Sequence, residues 1–363
     1  MNTNPFGAAS ETPGTGRPDS GTVIAHVDYV TEGGEPATVG ELFAAVFGSL
    51  ANLAVLGAGT VAVVALVALY LRYGSRLPDI EVARSTLASY RPYLPWMLRL
   101  SVGLPLVGAG FAGYTFTPSV PVEARLLQVS IGFLLLFGLA TRPVAAGGLL
   151  AYLVALADAG TPMLLASEYV AGFLAILVVG PGQPSADMLF RRLVVTDGTV
   201  ASRFRGSRTP RDVLAGLGIG PDVAPLLLRV FLGLNFAYLG ITQKWLQPGA
   251  ALGVVEKYGL TAVVPVSPEL WVFGAGAAEA LVGVALVAGF FTRGTAAIAF
   301  LLLTTTLFGL PDDPVLAHVT LFGLSSALLV TGGGPYSLDA RIVPALSCRL
   351  APGGTGAPDA AAD

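Results

Sequence analysis

The chain is poor in charged residues, and this shortage limits the kinds of protein it can be. Only 12% of its 363 residues are charged, whereas soluble domains have about 25%. Its mean hydropathy is +0.73, and apolar runs long enough to cross a bilayer recur along the sequence. The composition therefore predicts an all-α integral membrane protein that has the lipid bilayer as its main partner.

Cysteine and histidine are scarcer still. The single cysteine, Cys348, excludes an intrachain disulfide and a dithiol relay. Because His26 lies in a polar tail, His318 cannot be one of two membrane-embedded haem ligands supplied by this chain. A net charge of −3 without a basic stripe argues against a nucleic-acid partner. We expect no metal site here, so the metal centres of any redox complex would lie in partner subunits.

About nine apolar segments predict the transmembrane helices. The first, 42–71, is longer than the ~20 residues that a span needs, as in a tilted span or one that begins with an interfacial turn. Two sets of four follow, at 94–113, 122–140, 143–158 and 162–180, and at 223–243, 269–291, 294–310 and 314–331. The predicted parts are a disordered extracytoplasmic tail (1–40), an amino-terminal span (41–76), a four-helix unit (77–190), a cytoplasmic Arg-rich loop (191–221), a second four-helix unit (222–341) and a cytoplasmic polar tail (342–363).

The basic residues are distributed unevenly between the two sides of this layout. Sixteen of the 20 lysines and arginines lie on one side. The other side holds only Arg17, Arg125, Lys244 and Lys257. Because basic loops remain in the cytoplasm, we expect a multi-pass protein of the cell (plasma) membrane with its amino terminus outside and its carboxyl terminus in the cytoplasm.

The two four-helix units look like copies of one sequence. Three landmarks recur in the same order, namely Arg99 and Gly103 with Arg229 and Gly233, Thr141-Arg142 with Thr292-Arg293, and Asp187 with Asp339. Since each unit has an even number of spans, the copies are predicted to be parallel repeats that form two four-helix bundles side by side. The ionisable residues are kept only in the second copy, where Lys244 and Glu279 stand in place of Tyr114 and Gln128.

The second copy resembles the DoxX family of small membrane proteins. The residues that carry the resemblance are Arg229-x3-Gly233, Gly240-Ile-Thr-Gln-Lys244, Glu279, Gly289-Phe-Phe-Thr-Arg293, His318 and Gly334-Pro-Tyr-Ser-Leu-Asp339, and residues 94–187 match more weakly. The resemblance implies a four-helix membrane fold. It also implies the setting of some family members, which are subunits of quinol oxidases or thiosulfate:quinone oxidoreductases, although many members have no assigned activity.

These residues suggest one candidate site. Glu279 lies about 15 Å along its helix from Glu269, near the middle of the bilayer, where an unpaired carboxylate is costly. Lys244 and His318 lie toward the outer ends of their spans, so the three could converge on one outward-facing cavity. The hypothesis is that Glu279 and His318 exchange a proton beside a bound quinone while Lys244 balances the charge. Arg229 is a further cofactor-binding candidate, although it could simply reach lipid phosphates.

Three functions remain open on the sequence alone. The preferred one is a DoxX-like membrane subunit of a quinone-linked redox complex, which is at most one subunit of an enzyme. A carrier or channel for a small solute is the first alternative, because parallel repeats and buried charges are common in transporters. The second alternative is a structural or assembly protein, in which Glu279 and Lys244 only tie two helices together.

Overall fold

The computed structural model describes residues 37–204 and 210–350, without the side chains of Ser75, Phe204 and residues 347–350. Most of the predicted tail 1–40, the loop arginines Arg205 and Arg208, and the end of the predicted tail 342–363 lie outside these residues. The α-helices are α1 Val39–Phe47, α2 Leu50–Tyr73, α3 Pro78–Ser89, α4 Leu94–Ala112, α5 Arg125–Phe137, α6 Thr141–Ala159, α7 Glu168–Val179, α8 Ala186–Val195, α9 Pro210–Gly216, α10 Ala224–Leu239, α11 Pro248–Lys257, α12 Pro268–Ala288, α13 Thr292–Gly309, α14 Val315–Thr331, α15 Leu338–Arg341 and α16 Val343–Leu350. One antiparallel hairpin, β1 Tyr114–Thr115 and β2 Thr117–Pro121, follows α4.

The helices confirm the predicted all-α membrane class. Within residues 37–204 and 210–350, six segments are long and apolar enough to cross a membrane, namely Leu50–Tyr73, Pro78–Ala112, Thr141–Ala159, Pro221–Trp245, Pro268–Ala288 and Thr292–Gly309. Three shorter apolar helices, α5, α7 and α14, coincide with the remaining predicted spans. The number of nine spans and the boundaries of the six predicted parts stay predictions.

The helices of the two units pack in the same pattern. In the first unit α4 packs against α5, and α6 packs against α7; in the second unit α10 packs against α12, and α13 against α14. The units meet where α4 contacts α14 and α7 contacts α10. Leu98, Phe173, Leu228 and Leu324 belong to the one buried core that spans both units. The fold is therefore a pair of four-helix bundles that share a hydrophobic core.

Matching glycines allow close contact between the first two helices of each unit. A Cβ atom on Gly233 would lie 2.6 Å from the carbonyl oxygen of Gly283, where α10 crosses α12. In the first unit, a Cβ on Gly103 would lie 2.9 Å from the carbonyl oxygen of Gly132. Both distances are shorter than a van der Waals contact, so small residues set the helix spacing here.

Aspartates cap the third helix of each unit. The carboxylate of Asp187 accepts hydrogen bonds from the backbone N–H of Thr141 (2.8 Å) and of the preceding residue (2.6 Å). Asp339 does the same for Thr292 (2.7 Å) and the residue before it (2.6 Å). Because the first N–H groups of a helix lack partners within the helix, these carboxylates stabilise α6 and α13. The aspartate landmark of the repeat therefore has a structural role.

The arginines of the Thr-Arg landmarks bind the ends of the neighbouring helices. Arg142 Nε donates to the carbonyl oxygen of Leu177 (2.8 Å) at the end of α7, and Arg293 Nε donates to that of Leu329 (2.8 Å) at the end of α14. The last carbonyl groups of a helix carry partial negative charge, which a guanidinium group complements. We call this end of the bundle the arginine-rich end and the opposite end the arginine-poor end.

Three local features were not predicted. The predicted first span divides into α1 and α2, because Gly48 ends α1 and the Ser49 side chain caps α2. The helix α3 lies between α2 and α4, and α11 lies between the first two helices of the second unit. The corresponding place in the first unit is occupied by the hairpin. This difference between α11 and the hairpin distinguishes the second unit, which has an open cavity, from the first unit, whose interior is filled.

Candidate functional site

A cavity of about 940 Å³ lies in the second unit. Its walls come from α2 and from α10 to α14, and most of its lining is apolar, including Val55, Val63, Phe236, Leu281 and Leu302. Three residues singled out from the sequence, Lys244, Glu279 and His318, all line it. The structure therefore brings these three side chains to one space. Arg229 is not among the lining residues.

A π-helical segment, Gly240–Trp245, places the polar side chains at the end of α10. Such segments are rare and often occur at functional sites. A Cβ on Gly240 would lie 2.6 Å from the carbonyl oxygen of Gly276, so only glycine allows this contact with α12. The segment ends at Trp245, whose Nε1 donates to the carbonyl oxygen of Phe273 (3.2 Å). Gln243 and Lys244, between these anchors, line the cavity.

Lys244 forms an ion pair with Glu279 from the middle of α12. Lys244 Nζ lies 2.9 Å from Glu279 Oε2, and the side chains are 25% and 19% exposed, respectively. The angle of this contact does not meet hydrogen-bond geometry, so the attraction is between the charges. Pairing offsets the large cost of placing either charge among apolar helices. It also leaves Glu279 with capacity to accept a hydrogen bond from a ligand.

A second acid–base pair lies at the arginine-poor end of the cavity. His318 Nε2 is 3.4 Å from Asp313 Oδ2, and the two side chains are 5% and 2% exposed. His318 Nδ1 lies 3.2 Å from the carbonyl oxygen of Pro314, which selects the tautomer with a hydrogen on Nδ1. Nε2 and the Asp313 carboxyl can then share one proton. Burial raises the pKa of Asp313, while the charges of His318 and Lys244 oppose part of that rise.

Three residues of the cavity have buried side-chain atoms without a hydrogen-bond partner within the protein, and one of these atoms is Glu279 Oε2, which is paired with Lys244 by charge. Gln243 is 1% exposed, and neither its Nε2 nor its Oε1 has a partner. Asp313 Oδ1 is also buried and without one. Buried polar atoms are nearly always hydrogen-bonded, so these atoms remain free to donate or accept a hydrogen bond in the cavity. Gln243, Glu279 and Asp313 all line it.

Sequence reasoning missed Gln243 and Asp313. Gln243 directly precedes Lys244, so the local signal was present, but an uncharged amide in an apolar span does not stand out. Asp313 precedes Pro314 in a turn between two spans, where aspartate is usually solvated. Only tertiary packing buries it beside His318.

The equivalent region of the first unit is filled by Phe116 from the hairpin. This ring is 5% exposed and packs edge-on against Tyr152 (centroid distance 5.3 Å) and Tyr169 (5.1 Å). When the repeats are aligned on the landmarks above, Tyr152 and Tyr169 occupy the positions of Leu303 and Leu321, which line the open cavity of the second unit. The first copy, which has Tyr114 and Gln128 in place of Lys244 and Glu279, thus has an interior filled by aromatic side chains.

Gln128, which stands where the second unit has Glu279, is satisfied by the protein itself. Its Nε2 donates to the carbonyl oxygens of Leu106 (3.3 Å) and Tyr114 (3.1 Å). Unlike Gln243, this amide ties a helix to the hairpin. The protein therefore satisfies the amide of Gln128 but not that of Gln243.

The structure places Arg229 at the arginine-rich end, among backbone carbonyl groups. Its Nη2 donates to the carbonyl oxygen of Tyr336 (2.5 Å) and its Nη1 to that of Val287 near the end of α12. The residue is 3% exposed. In the first unit, Arg99 Nη2 donates to the carbonyl oxygen of Pro184 (2.5 Å) and is 1% exposed. Both arginines are thus surrounded by their own units.

The fold and the site together define a multi-pass helical membrane protein with an open, amphipathic cavity in its second unit. The DoxX family model matches residues 224–312. This match confirms the family resemblance for the segment that contains Lys244 and Glu279, while Asp313 and His318 follow just after it. No curated protein matches the chain, and no solved structure does.

Proposed function

We propose that the cavity of the second unit binds the head group of a membrane quinone, and that the chain is a subunit of a quinone-linked redox complex. The observation that carries the proposal is the combination of a large apolar cavity with two acid–base pairs and the unpartnered amide of Gln243. Quinones have apolar rings with two polar oxygens, so this distribution suits them. The match to DoxX supports a complex of the quinol oxidase or thiosulfate:quinone oxidoreductase type.

The residues divide into donors and proton carriers. Gln243 Nε2 and Lys244 Nζ can donate hydrogen bonds to a carbonyl oxygen of the head group. Asp313 and His318 hold a proton between them and can release it to, or take it from, a second oxygen. Glu279 keeps Lys244 in place through the ion pair. A bound quinone supplies two-electron, two-proton chemistry, and partner subunits would exchange the electrons.

The proposal includes an orientation in the cell membrane. With the arginine-rich end in the cytoplasm, Asp313 and His318 lie toward the outside, so protons would be exchanged with that side. Fusion of a fluorescent protein or of alkaline phosphatase to the carboxyl terminus tests this. Fluorescence without phosphatase activity is expected, and the reverse result would contradict the orientation.

Mass spectrometry of retained quinone tests the proposed ligand. We expect the protein, extracted gently from its native membrane, to retain quinone, and Glu279→Gln to lose most of it. Glu168→Gln is the matched control, because Glu168 is a buried carboxyl (2% exposed) that does not line the cavity. Retention of quinone by both variants would rule out the proposed site. Absence of quinone from every sample would rule out quinone as the ligand. A search for a transported solute would then be the next step.

A further inference from the structure

The helix α2 forms one wall of the cavity without being packed into the bundle. Its buried side chains are Asn52 and Leu71, one near each end. Between them, Val55, Val63 and Val64 are 49%, 59% and 62% exposed although all three line the cavity. Across the gap, Leu281 of α12 lines the cavity and is 66% exposed. The cavity is therefore open along the side of the bundle that faces lipid.

Both ends of α2 are fixed to the second unit. At the arginine-poor end, Asn52 Nδ2 donates to Ser267 Oγ (3.4 Å). At the arginine-rich end, the Tyr70 ring packs edge-on against Phe291, with a centroid distance of 4.8 Å. These contacts hold α2 beside α12 and α13 and leave a groove between them.

The aqueous end of the cavity is bounded by a tethered turn. Asp312, next to Asp313, accepts a hydrogen bond from Tyr258 Oη (2.7 Å) and pairs with Lys257 Nζ (2.9 Å). These contacts bind the turn between α13 and α14 to the end of α11. The turn at the water-facing end of the cavity is therefore held in place by these contacts. On the lipid-facing side, the cavity is covered only by the exposed middle of α2.

The groove along α2 offers few polar contacts to a solute. Thr60 is a polar residue of α2 in the lining, and its hydroxyl donates to the carbonyl oxygen of Leu56 in the same helix (2.8 Å). Thr305 and Thr306, opposite, both donate to the carbonyl oxygen of Leu302 (2.8 and 2.9 Å). The hydroxyl hydrogens are thus used within their own helices, and only the oxygens remain as acceptors. A water-soluble ligand would gain few hydrogen bonds along this path, whereas an alkyl or isoprenoid chain suits its mostly apolar walls.

From this geometry we infer that the groove between α2 and the helices α12 and α13 binds the long apolar tail of the ligand, which reaches the cavity sideways from the bilayer. The ligand class is then a lipid-soluble amphiphile, with its head at Lys244, Gln243 and the Asp313–His318 pair. This inference rests on the proposed quinone site and adds the tail, the route and the part played by α2.

Two glycines of α2 allow a matched test. Neither Gly57 nor Gly59 has any atom within 4 Å of an added Cβ, so both sites can accept a larger side chain. Only Gly59 lines the cavity. Gly59→Phe would place a ring in the groove, while Gly57→Phe would place the same ring on the same helix outside it. Val63→Trp is a second groove variant in case Gly59→Phe does not fold.

The experiment compares two quinones in phosphatidylcholine nanodiscs, a tailless dimethoxy-methyl-benzoquinone and its decyl derivative. We expect Gly59→Phe and Val63→Trp to weaken binding of the decyl quinone by about tenfold or more, because the added ring occupies the space that the alkyl tail would fill. Binding of the tailless quinone should stay within about twofold, and Gly57→Phe should change neither.

Each other outcome has a distinct meaning. Unchanged binding of the decyl quinone to both folded groove variants would overturn the inference. Equal weakening of both quinones would also overturn it, because the groove would then act on the head group. If the wild-type protein binds neither quinone, the proposed function itself has failed and the tail site fails with it.

Discussion

Lys244 Nζ lies 2.9 Å from Glu279 Oε2, which joins the π-helical end of α10 to the middle of α12. The pair belongs to the second unit, since Tyr114 and Gln128 hold the equivalent positions in the first. The second copy therefore has an ion pair where the first copy has two uncharged side chains. Four predictions examine this cavity and the contacts around it.

The first prediction concerns the cost of separating this pair. Lys244→Met leaves the Glu279 carboxylate without its cation among apolar helices, so the free energy of unfolding should fall by about 3 kcal/mol, at the lower end for a mostly buried pair. The double variant Lys244→Met/Glu279→Gln should recover most of that loss. Titration with sodium dodecyl sulfate measures both values. Additive losses in the double variant would show that the two side chains do not interact.

The second prediction is a pH dependence that comes from Asp313. Because burial raises its pKa, the folded protein binds this proton more tightly than the unfolded chain does. The resulting stability is fully present below the unfolded pKa of 3.8 and is lost as the pH rises through the higher folded pKa. Relative to Asp313→Asn, the wild-type protein should lose thermal stability as the pH rises above about 4.

The neighbouring Asp312 is the control for this pH dependence. Lys257 and Tyr258 lower its pKa through hydrogen bonds, so its contribution is present above the unfolded pKa and is lost as the pH falls through the folded one. The difference between wild type and Asp312→Asn should therefore change in the opposite direction. Melting curves recorded over a pH series would show two slopes of opposite sign, and parallel curves for all three proteins would contradict the assignment.

The third prediction separates Arg229 from the ligand site. Its guanidinium group binds backbone carbonyl groups at the arginine-rich end, so Arg229→Met should lower the free energy of unfolding by about 2–4 kcal/mol through unsatisfied buried groups. Arg99→Met in the first unit should cost a similar amount. Quinone retained per folded molecule should be unchanged in both. If Arg229→Met lost quinone and Arg99→Met did not, the result would support the sequence-based hypothesis that Arg229 binds the cofactor.

The sequence was sufficient to predict which helices carry the charged residues. Ionisable groups in apolar spans are costly, so Lys244, Glu279 and His318 stood out and their depth followed from helix geometry. The role of Arg229 could not be seen, because its partners Tyr336 and Val287 are distant in sequence. Phe116 was equally hidden, since nothing local shows that a hairpin residue fills one bundle.

The last prediction compares the two buried glutamines, Gln243 and Gln128. Gln243 has no hydrogen-bond partner in the protein, so the ligand-free fold already bears the cost of burying its amide. Gln243→Leu removes that cost and should raise the free energy of unfolding by about 1–2 kcal/mol. Gln128 donates to two carbonyl groups, so Gln128→Leu leaves those acceptors unsatisfied and should lower stability by about 1–3 kcal/mol.

Ligand binding should change in the opposite sense to stability. Gln243→Leu is expected to weaken quinone binding by roughly tenfold, the loss of about one hydrogen bond to the head group, whereas Gln128→Leu should leave it unchanged in the folded protein. Chemical denaturation and quinone titration of the same samples would check both halves. A variant at Gln243 that is more stable and still binds quinone fully would mean that the amide does not contact the ligand. A less stable variant with intact binding would mean that Gln243 serves the fold alone, as Gln128 does in the first unit.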